Sequence, residues 1–183
     1  MKFKKYFRII TKLLQLLYFC DTIVLLRGDF VLRLLVISDT HMYISNATKL
    51  INEYNPDYIL HLGDICDDCE RLSEIFPNKI ILSVIGNNDF GSAYPDFPKE
   101  RVFTLGGKNF LMCHGHTYHV KSSLSSLKRR GRAVKADVIL FGHTHEKYLE
   151  KDGDVIIMNP GTVWSYGIIE LADGEIDARV ESV

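Results

Sequence analysis

Short apolar runs that end in polar residues recur along the chain beyond residue 31. They cover residues 32–38, 58–62, 79–85 and 137–141. Runs of this length are typical of strands that are buried on both faces. Between them, residues 44–54 carry apolar side chains at helical spacing and stop before Pro56, and residues 68–76 predict a shorter helix. This alternation of strand and helix favours parallel strands with helices packed on the faces of a sheet.

The second half of the chain has a different pattern. Residues 101–113 predict a β-hairpin that turns at Gly106-Gly107, and residues 122–135 form a basic, helix-like stretch. Three apolar segments joined by turns predict strands at residues 155–158, 165–171 and 176–181. Trp164 and Tyr166 are expected to pack against the sheets. The predicted fold class is therefore α/β, a mixed β-sandwich of two facing sheets flanked by helices.

The composition is that of a globular protein and excludes several other classes. The 183 residues are 46% hydrophobic and 25% charged, with a formal net charge of −1. These values exclude a disordered, collagen-like or disulfide-stapled chain, and no apolar run reaches the roughly 18 residues of a membrane span. The four cysteines include one close pair, Cys66 and Cys69. We expect free thiols in a reducing compartment, and hence a cytoplasmic protein.

Charge is distributed unevenly between the start of the chain and the rest. Residues 1–33 hold seven basic and two acidic residues, whereas the remainder holds 15 basic and 21 acidic residues. We predict an N-terminal extension at residues 1–31 and a single domain at residues 32–183. The sequence leaves three interpretations of the extension open. In the first, the extension precedes the true start of the protein. In the second, it is a basic amphipathic helix in weak contact with a membrane surface, and in the third, it is a signal or anchor segment.

Side chains that bind metals follow the predicted strands in five groups. The groups are Asp39-Thr40-His41, Gly63-Asp64, Gly86-Asn87-Asn88-Asp89, His114-Gly115-His116 and Gly142-His143-Thr144-His145. Carboxyl ends of neighbouring strands converge on one crevice in open α/β sheets, so we expect these side chains to meet. Imidazole and carboxylate ligands without sulfur suit Mn, Fe, Co, Ni or Zn. Two such ions about 3.5–4 Å apart would hold a bridging hydroxide and clamp a phosphoryl group during in-line attack.

The order of these five groups resembles the calcineurin-like metallophosphoesterases, which have an αββα fold. The resemblance runs from about Leu32 to the C-terminus. The form His-Gly-His and the later Asn159-Pro160-Gly161-Thr162 are similar to the small one-domain YfcE-type phosphodiesterases. The resemblance implies seven metal ligands. The first ion would be held by Asp39, His41 and His145, the second by Asn87, His114 and His143, and Asp64 would bridge the two.

The resemblance also points to three further residues at the catalytic centre. His116 is either substrate-facing or supports a metal ligand, and Asp89 is expected to orient the turn at Asn87 and Asn88 by a hydrogen bond. Many phosphomonoesterases of the superfamily have histidine where this chain has Asn88, which cannot act as a general acid. The resemblance therefore implies a phosphodiesterase that acts on small esters, with weak activity on monoesters.

Two other functions are kept as alternatives. A retromer subunit of the same fold serves protein interaction, so a catalytically weak scaffold is one alternative, and a phosphomonoesterase is the other. For the enzyme we expect two divalent metal ions, with Mn²⁺ favoured over Ni²⁺, Fe²⁺, Co²⁺ and Zn²⁺. The expected partner is a small phosphate-ester substrate, and association into a homo-oligomer is left open. No aromatic residues interleave with the basic group at residues 128–132, so no nucleic-acid platform is predicted.

Overall fold

The structure is a computed structural model that describes residues 31–89 and 97–183. The extension predicted at residues 1–31 lies outside the described residues, apart from Val31, and its three interpretations stay predictions. No helix in the described part of the chain is long and apolar enough to cross a membrane.

Ten strands, three α-helices and one short 3₁₀ helix are found among the described residues. In chain order they are β1 (Leu32–Ile37), α1 (Ile44–Tyr54), β2 (Tyr58–His61), α2 (Cys66–Ile75), β3 (Ile80–Ser83), β4 (Glu100–Leu105), β5 (Lys108–Cys113), the 3₁₀ helix (His116–Tyr118), α3 (Ser125–Ala133), β6 (Val138–Leu140), β7 (Tyr148–Asp152), β8 (Val155–Asn159), β9 (Ser165–Ala172) and β10 (Glu175–Ser182).

The strands form two mixed sheets of five strands each. The first sheet has the order β10-β9-β1-β2-β3, with β1, β2 and β3 parallel and β9 antiparallel to both β1 and β10. The second has the order β4-β5-β6-β8-β7, with β5, β6 and β8 parallel and the edge strands β4 and β7 antiparallel. The predicted α/β class and the two mixed sheets are confirmed.

Alternation along the apolar strands explains why the two sheets face each other with helices outside. In β1, Leu34 and Val36 join the central core, which also contains Phe110 of β5 in the other sheet. Their neighbours Leu35 and Ile37 point the other way and pack with α1 and α2. An equivalent cluster joins the second sheet to α3. Because strand side chains alternate between faces, an uninterrupted apolar strand is buried on both sides.

Three local expectations differ from the structure. Trp164 is 70% exposed, so its predicted packing against the sheets is wrong, whereas Tyr166 is buried as expected. Strand β7 has no apolar run and was not predicted. It pairs with β8 at the edge of its sheet, where a strand needs only one partner. The helix expected at residues 122–135 is shorter, because it begins at Ser125 and ends at Ala133.

Candidate metal centre

All five groups of metal-binding side chains lie at the ends of strands that the two sheets bring together. Asp39 and His41 follow β1, Asp64 follows β2, and residues 87–89 follow β3 in the first sheet. His114 follows β5, and the loop with His143 and His145 follows β6, in the second sheet. The predicted convergence of strand ends is therefore observed. It results from the parallel pairing of β1 with β2, β2 with β3 and β5 with β6.

One set of ligand atoms is centred on Asp39. One nitrogen or oxygen from each of Asp39, His41, Asp64 and His145 lies within 4.8 Å of the others. His145 Nε2 is 3.1 Å from Asp39 Oδ1, and the rings of His41 and His145 are 5.4 Å apart. The group joins three separate loops, and its donors are oxygen and imidazole nitrogen, which suit a divalent first-row metal.

A second set of ligand atoms is centred on His114. Its Nε2 is 3.0 Å from Asn87 Oδ1 and 3.4 Å from Asp64 Oδ1, and its ring centroid is 5.1 Å from that of His143. Asp64 therefore contacts both sets.

The protonation of His114 indicates what these atoms are arranged to bind. Its Nδ1 is 2.8 Å from the carbonyl oxygen of Leu62, which can only accept, so Nδ1 carries the proton. In the neutral ring, Nε2 then presents a lone pair toward the oxygens of Asn87 and Asp64. Three lone pairs that face one another without a shared proton are stabilised by a cation. Histidines that bind a metal through one ring nitrogen typically donate a hydrogen bond from the other, as Nδ1 of His114 does to Leu62.

The two carboxylate oxygens of Asp39 differ in their hydrogen bonds. Ser38 Oγ donates to Asp39 Oδ2 at 2.5 Å, and the backbone N–H of His143 donates to the same oxygen at 3.2 Å. Asp39 Oδ1 is buried and accepts no hydrogen bond from the described residues, although Nε2 of His145 lies 3.1 Å from it. A buried carboxylate oxygen without a partner is costly unless a cation compensates it. The residues present therefore fit a divalent metal.

The backbone at the site is strained in a way that the sequence pattern does not reveal. Five of the seven predicted ligands have a positive φ: Asp39 (52°), His41 (45°), Asp64 (61°), His143 (68°) and His145 (62°). Left-handed backbone costs a non-glycine residue about 1 kcal/mol or more, and such strain collects at functional sites. The rigid strands before each loop hold these conformations in place.

Asp89 connects two of the loops through backbone hydrogen bonds. Its Oδ2 accepts from Gly86 N at 2.7 Å, and its Oδ1 accepts from Ile65 N at 2.9 Å and from Cys66 N at 2.8 Å. Burial alone would raise the pKa of Asp89, but the hydrogen bonds from Gly86 and Cys66 lower it below its usual value. Asp89 therefore joins the loop that begins at Gly86 to the start of α2, and its expected role in orienting Asn87 and Asn88 stays a prediction.

Asn88 contacts the carboxylate that lies in both sets. Its side-chain amide donates to Asp64 Oδ2 at 2.7 Å, and its backbone N–H donates to Asp64 Oδ1 at 3.0 Å. Asn88 therefore fixes the orientation of Asp64.

The imidazole rings of His116 and His143 both lie close to the ring of His114. Ring centroids of His116 and His143 are 6.1 Å apart, and His116 Nδ1 is buried without a partner in the described residues. Burial, then the nearby His114, lowers the pKa of His116. Burial together with His114 and Lys121 lowers the pKa of His143 to about 4. Both rings are therefore neutral near pH 7 and have a lone pair available.

A buried polar network behind the centre was missed by sequence reasoning. His61 accepts from Gly63 N through Nδ1 at 3.2 Å, so its Nε2 carries the proton and donates to Thr40 Oγ1 at 3.0 Å. Thr40 in turn donates to Asp68 Oδ2 at 2.6 Å, and Met42 N donates to the same oxygen at 2.8 Å. The network joins the loops that carry Asp39 and Asp64, although only the tertiary structure brings its members together.

The fold and the converging donors define this chain as a two-sheet α/β protein with a candidate metal centre between the sheet edges. Comparison with known proteins identifies the family. The model of the calcineurin-like phosphoesterase superfamily domain matches residues 32–170, and the chain belongs to that superfamily, as the resemblance in its motifs predicted.

Two curated relatives illustrate the family. A probable metallophosphoesterase of Mycoplasma genitalium is 31% identical over 136 residues, which cover 72% of this chain and 77% of that protein. A phosphodiesterase of Methanocaldococcus jannaschii is 28% identical over 150 residues, which cover 72% of this chain and 84% of that protein.

Solved structures share the fold at lower sequence identity. A predicted phosphoesterase of Streptococcus pneumoniae superposes with a TM-score of 0.69 at 23% identity, covering 84% of this chain and 90% of the other. Vacuolar Protein Sorting 29 of Cryptosporidium parvum superposes with a TM-score of 0.67 at 22% identity, covering 85% and 99%. At this identity the likeness shows the fold alone.

Proposed function

We propose that this metallophosphoesterase is a phosphodiesterase with a dinuclear metal centre, held by the seven residues that the sequence indicates as ligands. The position of Asp64 carries the proposal. Its carboxylate belongs to the set around Asp39, and its Oδ1 lies 3.4 Å from Nε2 of His114 in the other set. A carboxylate shared by two sets of ligands suits two ions about 3.5–4 Å apart.

We propose Mn²⁺ as the bound metal, and the same imidazole and carboxylate donors also accept Ni²⁺, Fe²⁺, Co²⁺ or Zn²⁺. When bound, two such ions would activate water for attack and offset the negative charge on the phosphoryl oxygens. The chain itself supplies the orientation. Ser38 holds one oxygen of Asp39, and Asn88 holds Asp64, so that both carboxylates have little freedom to rotate.

The choice of a diester over a monoester depends on how protons are supplied to the leaving group. Asn88 cannot donate a proton to a leaving oxygen. The lowered pKa of His116 leaves it mostly neutral near pH 7 and makes it a poor proton donor to a basic alkoxide. Diesters with leaving groups of low basicity are therefore the favoured small substrates.

The first experiment measures bound metal and the preference for diester over monoester. Purified protein loaded with Mn²⁺ is expected to hold about two ions per chain by elemental analysis and to hydrolyse bis(4-nitrophenyl) phosphate faster than 4-nitrophenyl phosphate. Asp64→Asn should lose both metal and turnover. Asp154→Asn removes the same charge from an exposed position and should change neither. Fewer than one ion per chain and no diester turnover with any of the five metals would refute the proposal and favour a scaffold.

A further inference from the structure

A cavity of about 350 Å³ lies beside the metal centre and has no part in holding the metal. Its walls combine the apolar side chains of Phe141 and Tyr148 with three charged residues, Lys121, Glu146 and Lys147. Binding pockets for small molecules typically occupy about 300–1,000 Å³ and combine apolar walls with a few polar groups. The cavity therefore has the size and the lining of a site for a small organic group.

Thr144 connects this cavity to the catalytic centre. It lines the cavity and lies between His143 and His145 in the sequence. Asn159 Nδ2 donates to Thr144 Oγ1 at 2.9 Å and to the carbonyl of Gly142 at 2.9 Å, which holds this loop in place. The cavity and the candidate metal centre therefore share the loop at residues 142–145.

Charge in the cavity favours an anion. Lys121 makes no hydrogen bond or ion pair with any described residue, and Lys147 Nζ donates only to the neutral Ser182 Oγ, at 2.9 Å. Lys128 on α3 shows the contrast, since it is paired with both Glu150 and Asp152. Glu146 is the single acidic residue of the lining, so the cavity has a net charge of +1.

The apolar wall is suited to a flat ring. The rings of Phe141 and Tyr148 are 5.8 Å apart in an edge-to-face arrangement. Tyr148 Oη donates to Glu150 Oε2 at 2.5 Å, which fixes the tyrosine ring. Aromatic rings bind a further ring through stacked or edge contacts.

We propose that this cavity, lined by Lys121, Lys147, Phe141 and Tyr148, binds one alcohol substituent of a phosphate diester, and that the preferred substituent has an apolar ring and a negative charge. The proposal rests on the proposed phosphodiesterase activity, because the phosphorus must lie at the metal centre. The lysines bind the anionic end of the substituent, and the ring lies against Tyr148, whose own ring packs edge-to-face on the buried Phe141.

Two matched diesters test the charge preference. 4-Carboxybenzyl 4-nitrophenyl phosphate and benzyl 4-nitrophenyl phosphate differ by one carboxylate and release the same chromophore. At low salt, kcat/KM should be about fivefold higher for the carboxylated diester, a ratio typical of a solvent-accessible ion pair. High salt should reduce this ratio by screening. The double variant Lys121→Met/Lys147→Met should bring the ratio close to one, and Glu146→Gln should raise it.

Binding without turnover is measured in parallel with 4-carboxybenzylphosphonate and benzylphosphonate, whose P–C bond is not an ester. Calorimetry on the Mn²⁺-loaded protein should give the same preference, again lost in the double lysine variant. Lys49→Met removes an equal charge from the exposed face of α1, away from the cavity, and should keep the wild-type ratio.

The outcomes separate this proposal from the proposed function. Turnover of both diesters with no carboxylate preference, or a preference that survives in the double lysine variant, would overturn the cavity proposal and leave the phosphodiesterase intact. A phosphonate preference that depends on the lysines, together with no turnover of either diester, would support the cavity and overturn the activity. Absence of measurable binding of either phosphonate would overturn the cavity proposal as well.

Discussion

Gly86 lies against the carboxylate of Asp64, and replacing it with alanine tests the metal centre with a single methyl group. A Cβ at position 86 would be 1.9 Å from Asp64 Oδ1 and 2.4 Å from the backbone nitrogen of Asp64. The backbone of Gly86 lies outside the left-handed region, so alanine meets no conformational penalty there. The whole effect of the substitution therefore comes from the contact with Asp64.

The size of the displacement follows from these distances. Real Cβ atoms essentially never approach another heavy atom closer than 3.0 Å. The Asp64 carboxylate must therefore move by at least about 1.1 Å, and a misplacement of that size typically costs about 100-fold in rate. Rotation of the side chain alone cannot relieve the contact with the backbone nitrogen, so the loops after β2 and β3 must separate. We expect bound metal to fall below one ion per chain and kcat/KM for a nitrophenyl diester to fall by at least about 100-fold.

The assay combines elemental analysis after dialysis, diester turnover with Mn²⁺, and thermal unfolding. Gly131→Ala is the matched control. Its Cβ would meet Ile139 Cδ1 at 2.3 Å, a comparable clash against the flexible end of a core side chain away from the metal centre. Gly131→Ala should shift stability by about 1 kcal/mol and keep both ions. If Gly86→Ala keeps two ions and diester activity within about threefold of the wild type, the role given to Asp64 is wrong.

Three further predictions concern residues around the centre. Thr40→Val leaves His61 and the buried Asp68 without the hydroxyl that both of them contact, and it should lower the free energy of unfolding by about 3 kcal/mol. The measurement is unfolding in urea, and the control is Thr104→Val at an exposed position, which should change the free energy by less than about 0.5 kcal/mol. Burial lowers the pKa of His61 from 6.5 to about 4, so the unfolded chain takes up a proton there that the folded chain does not. Stability from this residue is complete above pH 6.5 and falls toward pH 4. Between pH 7.5 and pH 4.5 the free energy of unfolding of the wild type should fall by about 2–3 kcal/mol more than that of His61→Gln. Equal losses would contradict the lowered pKa of His61. Asn88→His adds a general acid and should lower the ratio of diester to monoester turnover by at least about tenfold; an unchanged ratio would contradict the account of position 88.

The fold class was predictable from the sequence because its strands have a strong local signal. Apolar runs such as residues 32–38 and 58–62 are buried on both faces, which makes them recognisable without knowledge of their neighbours. Strand β7, at residues 148–152, has no such signal. Its sequence is largely polar and charged, and it is a strand because β8 offers it an unpaired edge. Pairing with the next strand along the chain, β8, therefore outweighed local preference there.

The candidate ligands were predictable for a related reason. Each follows a recognisable strand, and parallel strands end at the same edge of their sheet. The order of the motifs then resembled one family, to which the chain belongs. The hydrogen bonds from His143 to Asp39 and from Asn88 to Asp64 were decided by the tertiary structure, because they depend on distances between loops.

The sequence by itself determined the strand pattern, the family and the residue types gathered at the sheet edges. Only the tertiary structure decided the network of Thr40, His61 and Asp68, the exposure of Trp164, and the cavity between Lys121 and Tyr148. The physical reason is sequence separation. Periodicity reports on neighbours one helical turn or one pleat away, whereas the two hydrogen bonds of Thr40 join it to residues 21 and 28 positions further along the chain. Such contacts require β1, β2 and α2 to pack together, and no local pattern records them.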